Sequence, residues 1–96
     1  MDYPFVEISH GFCEKHKAPY VIRCFTQEVP QEELQWHQDQ EDRLIYPWCG
    51  SKDWMFQFDE CLPVPIDAPI FIERYEWHRL IKGTGNLYLK ILKFIK

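Results

Sequence analysis

The sequence has few of the residues that mark several large classes of protein. It contains four glycines among 96 residues, and none of them belongs to a glycine-rich loop that could cradle a phosphate group. Its two serines, Ser9 and Ser51, do not stand in a nucleophile elbow. His10, Cys13 and His16 are spaced three apart, but no second compact pair of ligands accompanies them, so chance explains this spacing better than a structural zinc site.

Long apolar runs and leader-like segments are also lacking. No apolar run approaches the roughly 20 residues that a helix needs to span a bilayer. The first residues contain neither a basic region nor an apolar core, so the sequence predicts no secretory signal. In that setting we expect the four cysteines (Cys13, Cys24, Cys49 and Cys61) to be reduced thiols rather than disulfides. We expect a cytoplasmic protein, located in the host cytoplasm if viral, with no membrane partner.

Positive charge is scarce and unevenly distributed. Residues 1–60 contain twelve Asp or Glu and five Lys or Arg, whereas residues 61–96 contain three and six, which gives the net charge of −4. A small group of lysines near the C-terminus is the nearest approach to a basic patch. We therefore predict no nucleic-acid partner. The length predicts a single domain over residues 1–96 with one modest core.

Aromatic and β-branched residues are abundant and alternate with polar ones. The sequence has four Trp, five Tyr and seven Phe, and a helical period is nowhere sustained. Gly83 to Asn86 is the best hairpin signal, and prolines indicate a loop over 62–69. The remaining connections are a loop or helical turn over 26–35 and a turn formed by Pro47 and residues 50–53. Strands are predicted over 3–9, 20–25, 34–46, 54–58, 69–73, 77–81 and 87–96. The chain is therefore predicted to be all-β, a small barrel or sandwich whose tryptophans fill the core and rim.

One predicted strand carries an unusual polar face. His37, Asp39, Glu41 and Arg43 follow each other at intervals of two residues, so on a strand they would share one face. Such a face is either exposed to solvent or lines a polar cavity. The Trp36-His37 pair is repeated at His78, which also follows a tryptophan. Whether these two segments face each other decides between the two interpretations.

These residues resemble the sequence motifs of the cupins. His37, Asp39, Arg43 and Gly50 have the spacing of the first cupin motif, with Asp39 in place of its second histidine and Arg43 in place of its glutamate. His78 matches the histidine of the second motif, in which Glu73, Tyr75 and Lys82 replace the usual proline, glycine and asparagine. A fainter resemblance is to small cupin-like proteins of tailed phages. The resemblance implies a single small cupin-like barrel, that is, a jelly-roll or double-stranded β-helix.

The same resemblance implies a site in the barrel mouth. His37, Asp39 and His78 would hold a divalent metal ion, with Fe, Mn, Zn and Ni as candidates. Two histidines and one carboxylate suit Fe(II) with open positions, and also Zn(II) with a bound water. Arg43 stays protonated and cannot be a ligand, so it would bind an anionic group of a small molecule. Gln57, on a neighbouring strand, would supply one more polar contact.

An alternative leaves the barrel without a metal. Arg43 would pair with Asp39 or Glu41 and mark a metal site that has been lost. The protein would then be a structural or interaction module, for example an assembly or virion-associated scaffold. Under both interpretations we expect a homodimer, because pairing buries surface that so short a chain cannot cover by itself. The sequence leaves open whether the protein is an enzyme.

Overall fold

The computed structural model describes residues 4–50 and 53–95, without the side chains of residues 49 and 50. Described elements are almost entirely strands, which confirms the all-β prediction. The strands are β1 (Val6–Cys13), β2 (Ala18–Phe25), β3 (Asp42–Gly50), β4 (Met55–Phe58), β5 (Val64–Pro65), β6 (Ile70–Ile72), β7 (His78–Ile81) and β8 (Leu87–Phe94), with a 3-10 turn at Gln31–Glu33. Across the described residues, no helix is long and apolar enough to cross a membrane.

Two antiparallel sheets enclose the core. One has five strands in the order β1-β2-β8-β3-β6, and the other has three in the order β5-β4-β7. In β8, which lies at the centre of the larger sheet, Leu87, Leu89 and Ile91 are buried and alternate with half-buried Tyr88 and Lys90. This period of two places one side of the strand against the other sheet. The resulting core consists of Phe25, Leu34, Ile45, Trp54, Phe56, Ile66, Ile72, Leu80, Leu87, Leu89 and Ile91.

The tryptophans and cysteines occupy different environments. Trp54 is fully buried and its Nε1 donates a hydrogen bond to the carbonyl of Gly85 at 3.3 Å, so one tryptophan fills the core as expected. Trp36, Trp48 and Trp77 are 37%, 54% and 49% exposed. Core packing does not account for these three. Thiols are free at all described cysteine side chains, namely Cys13, Cys24 and Cys61, and the side chain of Cys49 lies outside the described residues.

The prediction of a strand over 34–46 is wrong in its first half. Strand β3 begins only at Asp42, and His37 forms an isolated bridge with His78. Residues 38 and 39 bond to a turn instead, because Tyr75 N donates to the Asp39 carbonyl at 2.8 Å and Gln38 Nε2 donates to the Tyr75 carbonyl at 2.8 Å. The four polar side chains therefore do not share one strand face.

Proline produced two further errors in the predicted boundaries. Pro47, predicted in a turn, lies within β3 opposite Leu89, where only β8 is paired because β6 reaches no further than Ile45. Val64–Pro65, predicted in a loop, forms β5 at the edge of the smaller sheet. At both positions the strand is paired on one side only. A proline is tolerated there because its missing N–H can face the unpaired side. Strand β1 also runs on to Cys13, beyond the predicted end at Ser9. Residues 3, 51 and 52 of the predicted first strand and turn lie outside the described residues.

Candidate metal centre

A single backbone bridge brings the two Trp-His segments together. His37 N donates to the His78 carbonyl at 3.0 Å, and His78 N donates to the His37 carbonyl at 3.1 Å. Residues that exchange both hydrogen bonds lie directly opposite each other, with their side chains on the same side. The two imidazole centroids are accordingly 4.3 Å apart. His78 is 2% exposed, whereas the side chain of His37 is 51% exposed and lies at the mouth of the site.

Asp39 completes the group from the segment that follows His37. Its Oδ2 lies 3.2 Å from Nε2 of His78, and its Oδ1 lies 3.8 Å from Nε2 of His37. The donor atoms of these three residues all lie within 4.8 Å of one another. The structure therefore gathers His37, Asp39 and His78 into one cluster of nitrogen and oxygen donors.

Backbone carbonyls determine which nitrogen of each histidine faces Asp39. Nδ1 of His37 lies 3.0 Å from the Gln35 carbonyl, and Nδ1 of His78 lies 2.7 Å from the Glu76 carbonyl. A carbonyl only accepts, so each Nδ1 carries the proton and each neutral imidazole presents a lone pair at Nε2. Histidines that ligate metals are oriented by a hydrogen bond of this kind.

The carboxylate of Asp39 faces these lone pairs. Its Oδ2 is buried and has no hydrogen-bond partner among the described residues. With the proton of His78 on Nδ1, Nε2 and Oδ2 confront each other as two acceptors at 3.2 Å. Either a second proton on His78 or a cation between the donors resolves this opposition. The donor set, two imidazole nitrogens and one carboxylate oxygen, fits a divalent transition metal.

Arg43 holds the other oxygen of Asp39. Its Nη2 lies 3.3 Å from Asp39 Oδ1, while both Nε and Nη2 lie 2.7 Å from Oε2 of Glu41. The guanidinium is thus compensated by Glu41, and it fixes the Asp39 carboxylate with Oδ2 towards the imidazoles. A ligating carboxylate is commonly held by a second polar or charged partner, so the ion pair of Arg43 with Oδ1 is compatible with a metal at Oδ2.

Electrostatics keep the cluster in a protonation state suited to binding a cation. Burial by itself would raise the pKa of Asp39, but the adjacent imidazole of His78 and the positive charge of Arg43 outweigh it, and the pKa is lowered. Burial lowers the pKa of His37 by more than the hydrogen bond to the Gln35 carbonyl and the charge of Asp39 raise it, and the positive charge of Arg43 lowers it further. At neutral pH the structure therefore presents an ionised carboxylate beside a neutral imidazole at position 37.

The cluster forms the polar corner of a cavity of about 390 Å³ between the sheets. Most of the remaining wall is apolar and includes Phe25, Phe56, Leu80, Leu89 and Ile91. Arg23 also lines it, with Nε 3.1 Å from Glu7 Oε2 and its guanidinium 4.0 Å above the ring of Phe5. The sequence analysis missed Arg23. The available signal was a charged residue between Val21 and Phe25 on the inward side of a strand.

Gln57 lies elsewhere. Its Nε2 donates to the Cys61 carbonyl at 3.0 Å, and its Oε1 accepts a hydrogen bond from Arg79 Nε at 3.0 Å. It does not line the cavity that contains the three donors, because the neighbouring Phe56 takes the inward position on β4. Of the five residues predicted for the site, the structure brings together His37, Asp39, Arg43 and His78.

Comparison with solved structures identifies the class of fold. The chain superposes on DMSP lyases RdDddP and RnDddQII with a TM-score of 0.65 and 11% identity, covering 80% of this chain and 38% of that one. Cobalt(II) HppE in complex with Tris buffer gives a TM-score of 0.66 and 15% identity over 98% of this chain and 55% of that one. Protein NMB1881 from Neisseria meningitidis gives 0.60 and 10%, with coverages of 94% and 87%.

The fold is cupin-like, as the sequence motifs predicted. The chain spans between about two fifths and just over half of the length of the lyase and HppE structures. No family model matches the sequence, and no curated protein matches it.

Proposed function

We propose that this chain binds a divalent transition-metal ion through Nε2 of His37, Nε2 of His78 and Oδ2 of Asp39, with Fe(II), Mn(II), Zn(II) and Ni(II) as candidates. The observation that carries the proposal is the buried Oδ2 of Asp39, which lacks a hydrogen-bond partner among the described residues and lies 3.2 Å from an imidazole nitrogen. Three protein ligands leave open positions on such an ion. The existence of HppE structures with Fe(II) and Co(II) in a similar fold supports this choice of metals.

The charge balance around the cavity favours a small anionic ligand. Arg43 is paired with Glu41, and Arg23 is paired with Glu7. The negative charge next to the two imidazoles is therefore that of Asp39. A divalent ion exceeds the single charge of this carboxylate and leaves the polar corner positive, because Glu33, the other carboxylate that lines the cavity, forms no ion pair among the described residues and is exposed to solvent. When bound, the ion would act as a Lewis acid towards an oxygen of the ligand. The apolar wall formed by Phe25, Phe56 and Leu80 would pack against the rest of the molecule and exclude water.

Elemental analysis of the untagged protein tests the proposal. The protein is stripped with chelator, reconstituted separately with each of the four metals, and desalted. We expect about one ion per chain with the preferred metal, and strong loss in His37→Gln, whose side chain is exposed enough to be replaced without unfolding the core. His10→Gln, which changes an exposed histidine of β1, is the matched control and should retain the metal. A parent protein that retains none of the four metals would contradict the proposal.

The outer edge of β1 favours a second function, which is self-association. Among the described strands, β1 pairs only with β2 and ends the larger sheet, and Val6, Ile8 and Phe12 are 58%, 54% and 53% exposed on it. An apolar edge strand of this kind recruits another strand. We propose a homodimer formed through this edge. Light scattering should give the mass of a dimer for the parent and of a monomer for Ile8→Lys, and a monomeric parent would contradict it.

A further inference from the structure

A second, smaller cavity lies beside the two tryptophans that precede the histidines. Its volume is about 280 Å³, and its lining consists of Trp36, Trp77, Asp59 and Glu60. Trp36 and Trp77 are 37% and 49% exposed, so both indoles offer surface to solvent. None of the three metal donors lines this cavity. It is therefore a separate cavity from the site described above, although Trp36 borders both.

The His37–His78 bridge explains why the two indoles converge here. Successive side chains in extended backbone point to opposite sides, so a bridge that directs both histidines inward directs Trp36 and Trp77 outward. In the antiparallel register Trp36 is opposite Arg79, and the guanidinium carbon of Arg79 lies 4.6 Å above the ring of Trp36. Trp77 is the diagonal cross-strand neighbour of Trp36. The same pair of hydrogen bonds thus places the metal donors and Trp77 on opposite sides of the backbone, and Trp36 borders both cavities.

The turn after β4 places two carboxylates beside the indoles, in the lining of the same cavity. Asp59 N donates to the Trp77 carbonyl at 2.9 Å, and Asp59 has a positive φ of 49°, which turns the chain so that Glu60 also borders the cavity. Within residues 4–50 and 53–95, neither carboxylate makes a hydrogen bond or an ion pair through its side chain. Aromatic faces combined with carboxylates that form no ion pair attract an organic cation.

We propose that Trp36, Trp77, Asp59 and Glu60 form a binding site for a small organic cation, a quaternary or protonated amine. A quaternary ammonium group needs apolar and aromatic contact together with negative charge, and it forms no directional hydrogen bonds that the cavity would have to satisfy. Arg79 covers part of Trp36 but is not among the residues that line the cavity. Trp77 is therefore the indole expected to contact the ligand most fully, since Arg79 lies 4.6 Å above Trp36 and Lys90 lies 5.7 Å above Trp48, whereas no such cation lies over Trp77 among the described residues.

Titration with choline, followed by the indole Nε1–H signals of ¹⁵N-labelled protein, tests this site. We expect saturable shifts of the Trp36 and Trp77 signals at millimolar choline, with the Trp48 signal unmoved. The uncharged isostere 3,3-dimethylbutan-1-ol should produce no such shifts. Trp77→Leu should weaken choline binding about two- to fivefold or more, as expected for loss of one cation–π contact. Glu60→Gln should weaken it as well, whereas Glu14→Gln, an exposed control on the turn between β1 and β2, should not.

Several results would overturn the proposal. Equal shifts with choline and the alcohol would show an apolar cleft without selectivity for charge. Equal shifts of Trp48, or unchanged binding in Trp77→Leu with the fold intact by circular dichroism, would show general association of cations with exposed indoles. No shift at all would show that the cavity does not bind a quaternary amine. All these measurements are made on metal-free protein, so they are independent of the metal proposal.

Discussion

Replacing Asp39 by asparagine separates the role of this residue in the metal-free fold from its proposed role as a metal ligand. Asparagine has the same shape, so its carbonyl oxygen can accept from Arg43 where Oδ1 does, and its amide can donate to Nε2 of His78 where Oδ2 confronts a lone pair. Arg43 loses one of its two acidic partners but keeps Glu41 at 2.7 Å. The substitution therefore removes an opposition of two acceptors while leaving the guanidinium compensated.

The magnitudes follow from this geometry. A new hydrogen bond contributes about 1 kcal/mol, and the loss of the charge on Asp39 costs a similar amount, so we expect the stability of metal-free Asp39→Asn to lie within about 1 kcal/mol of the parent. Metal at 100 times its Kd stabilises the parent by about 2.7 kcal/mol, which is a Tm rise of about 10–20 °C for a domain of this size. A 100-fold loss of affinity in the variant would reduce that rise to about 2–3 °C.

Thermal unfolding followed by circular dichroism, with chelator and with excess metal, measures both quantities. Asp67→Asn, which changes an exposed aspartate in the loop before β6, is the control and should keep the full metal-dependent rise. An equal rise in Asp39→Asn and the parent would refute the assignment of Oδ2 as a ligand. A metal-free variant destabilised by several kcal/mol would refute the account of Oδ2 and Nε2 as opposed acceptors.

The remaining predictions concern the fold and its dependence on pH. Leu89→Ala, at a position 1% exposed, should lower the free energy of unfolding by about 2–5 kcal/mol, seen as a lower urea midpoint. Gly83→Ala should cost about 1–3 kcal/mol in the same assay, because its Cβ would come within 2.5 Å of the backbone at Asp53 and Trp54; an unchanged midpoint would mean that this turn shifts freely. The lowered pKa of His37 means that the unfolded chain binds more protons than the folded one, so the stability of the chelator-treated protein should fall as pH drops below about 6.5. His37→Gln should reduce that slope, and an identical Tm–pH profile in the variant would show that His37 is not its source.

The sequence predicted those strands whose side chains alternate between core and surface. Strands β2, β4, β7 and β8 lie within two residues of their predicted limits, because burial of one side imposes a period of two. The errors at Pro47 and Val64–Pro65 have a topological cause. A proline is excluded from a strand only if both sides are paired, and which strands end a sheet is settled by long-range pairing.

The chemistry of the candidate site was easier to predict than its geometry. Spacing and motif selected His37, Asp39 and His78, which the structure brings together. The expectation of a continuous polar strand face was wrong because residues 38 and 39 bond to the turn at Tyr75. Arg23 was missed since its inward direction depends on which side of β2 faces the smaller sheet, and that is fixed only when the two sheets pack.

The isolated bridge between His37 and His78 also determines when the three candidate ligands can meet as the chain folds. The candidate ligands come from two distant parts of the chain, one before β3 and the other at the start of β7, and only the folded backbone holds them opposite each other. Closing so long a loop costs entropy that a single ion must otherwise overcome. A nascent or partly folded chain consequently offers at most two of the three donors at any one place. Under the metal proposal, full coordination by all three ligands therefore requires a closed barrel, and an ion retained in the site would indicate that both halves of the chain have folded together.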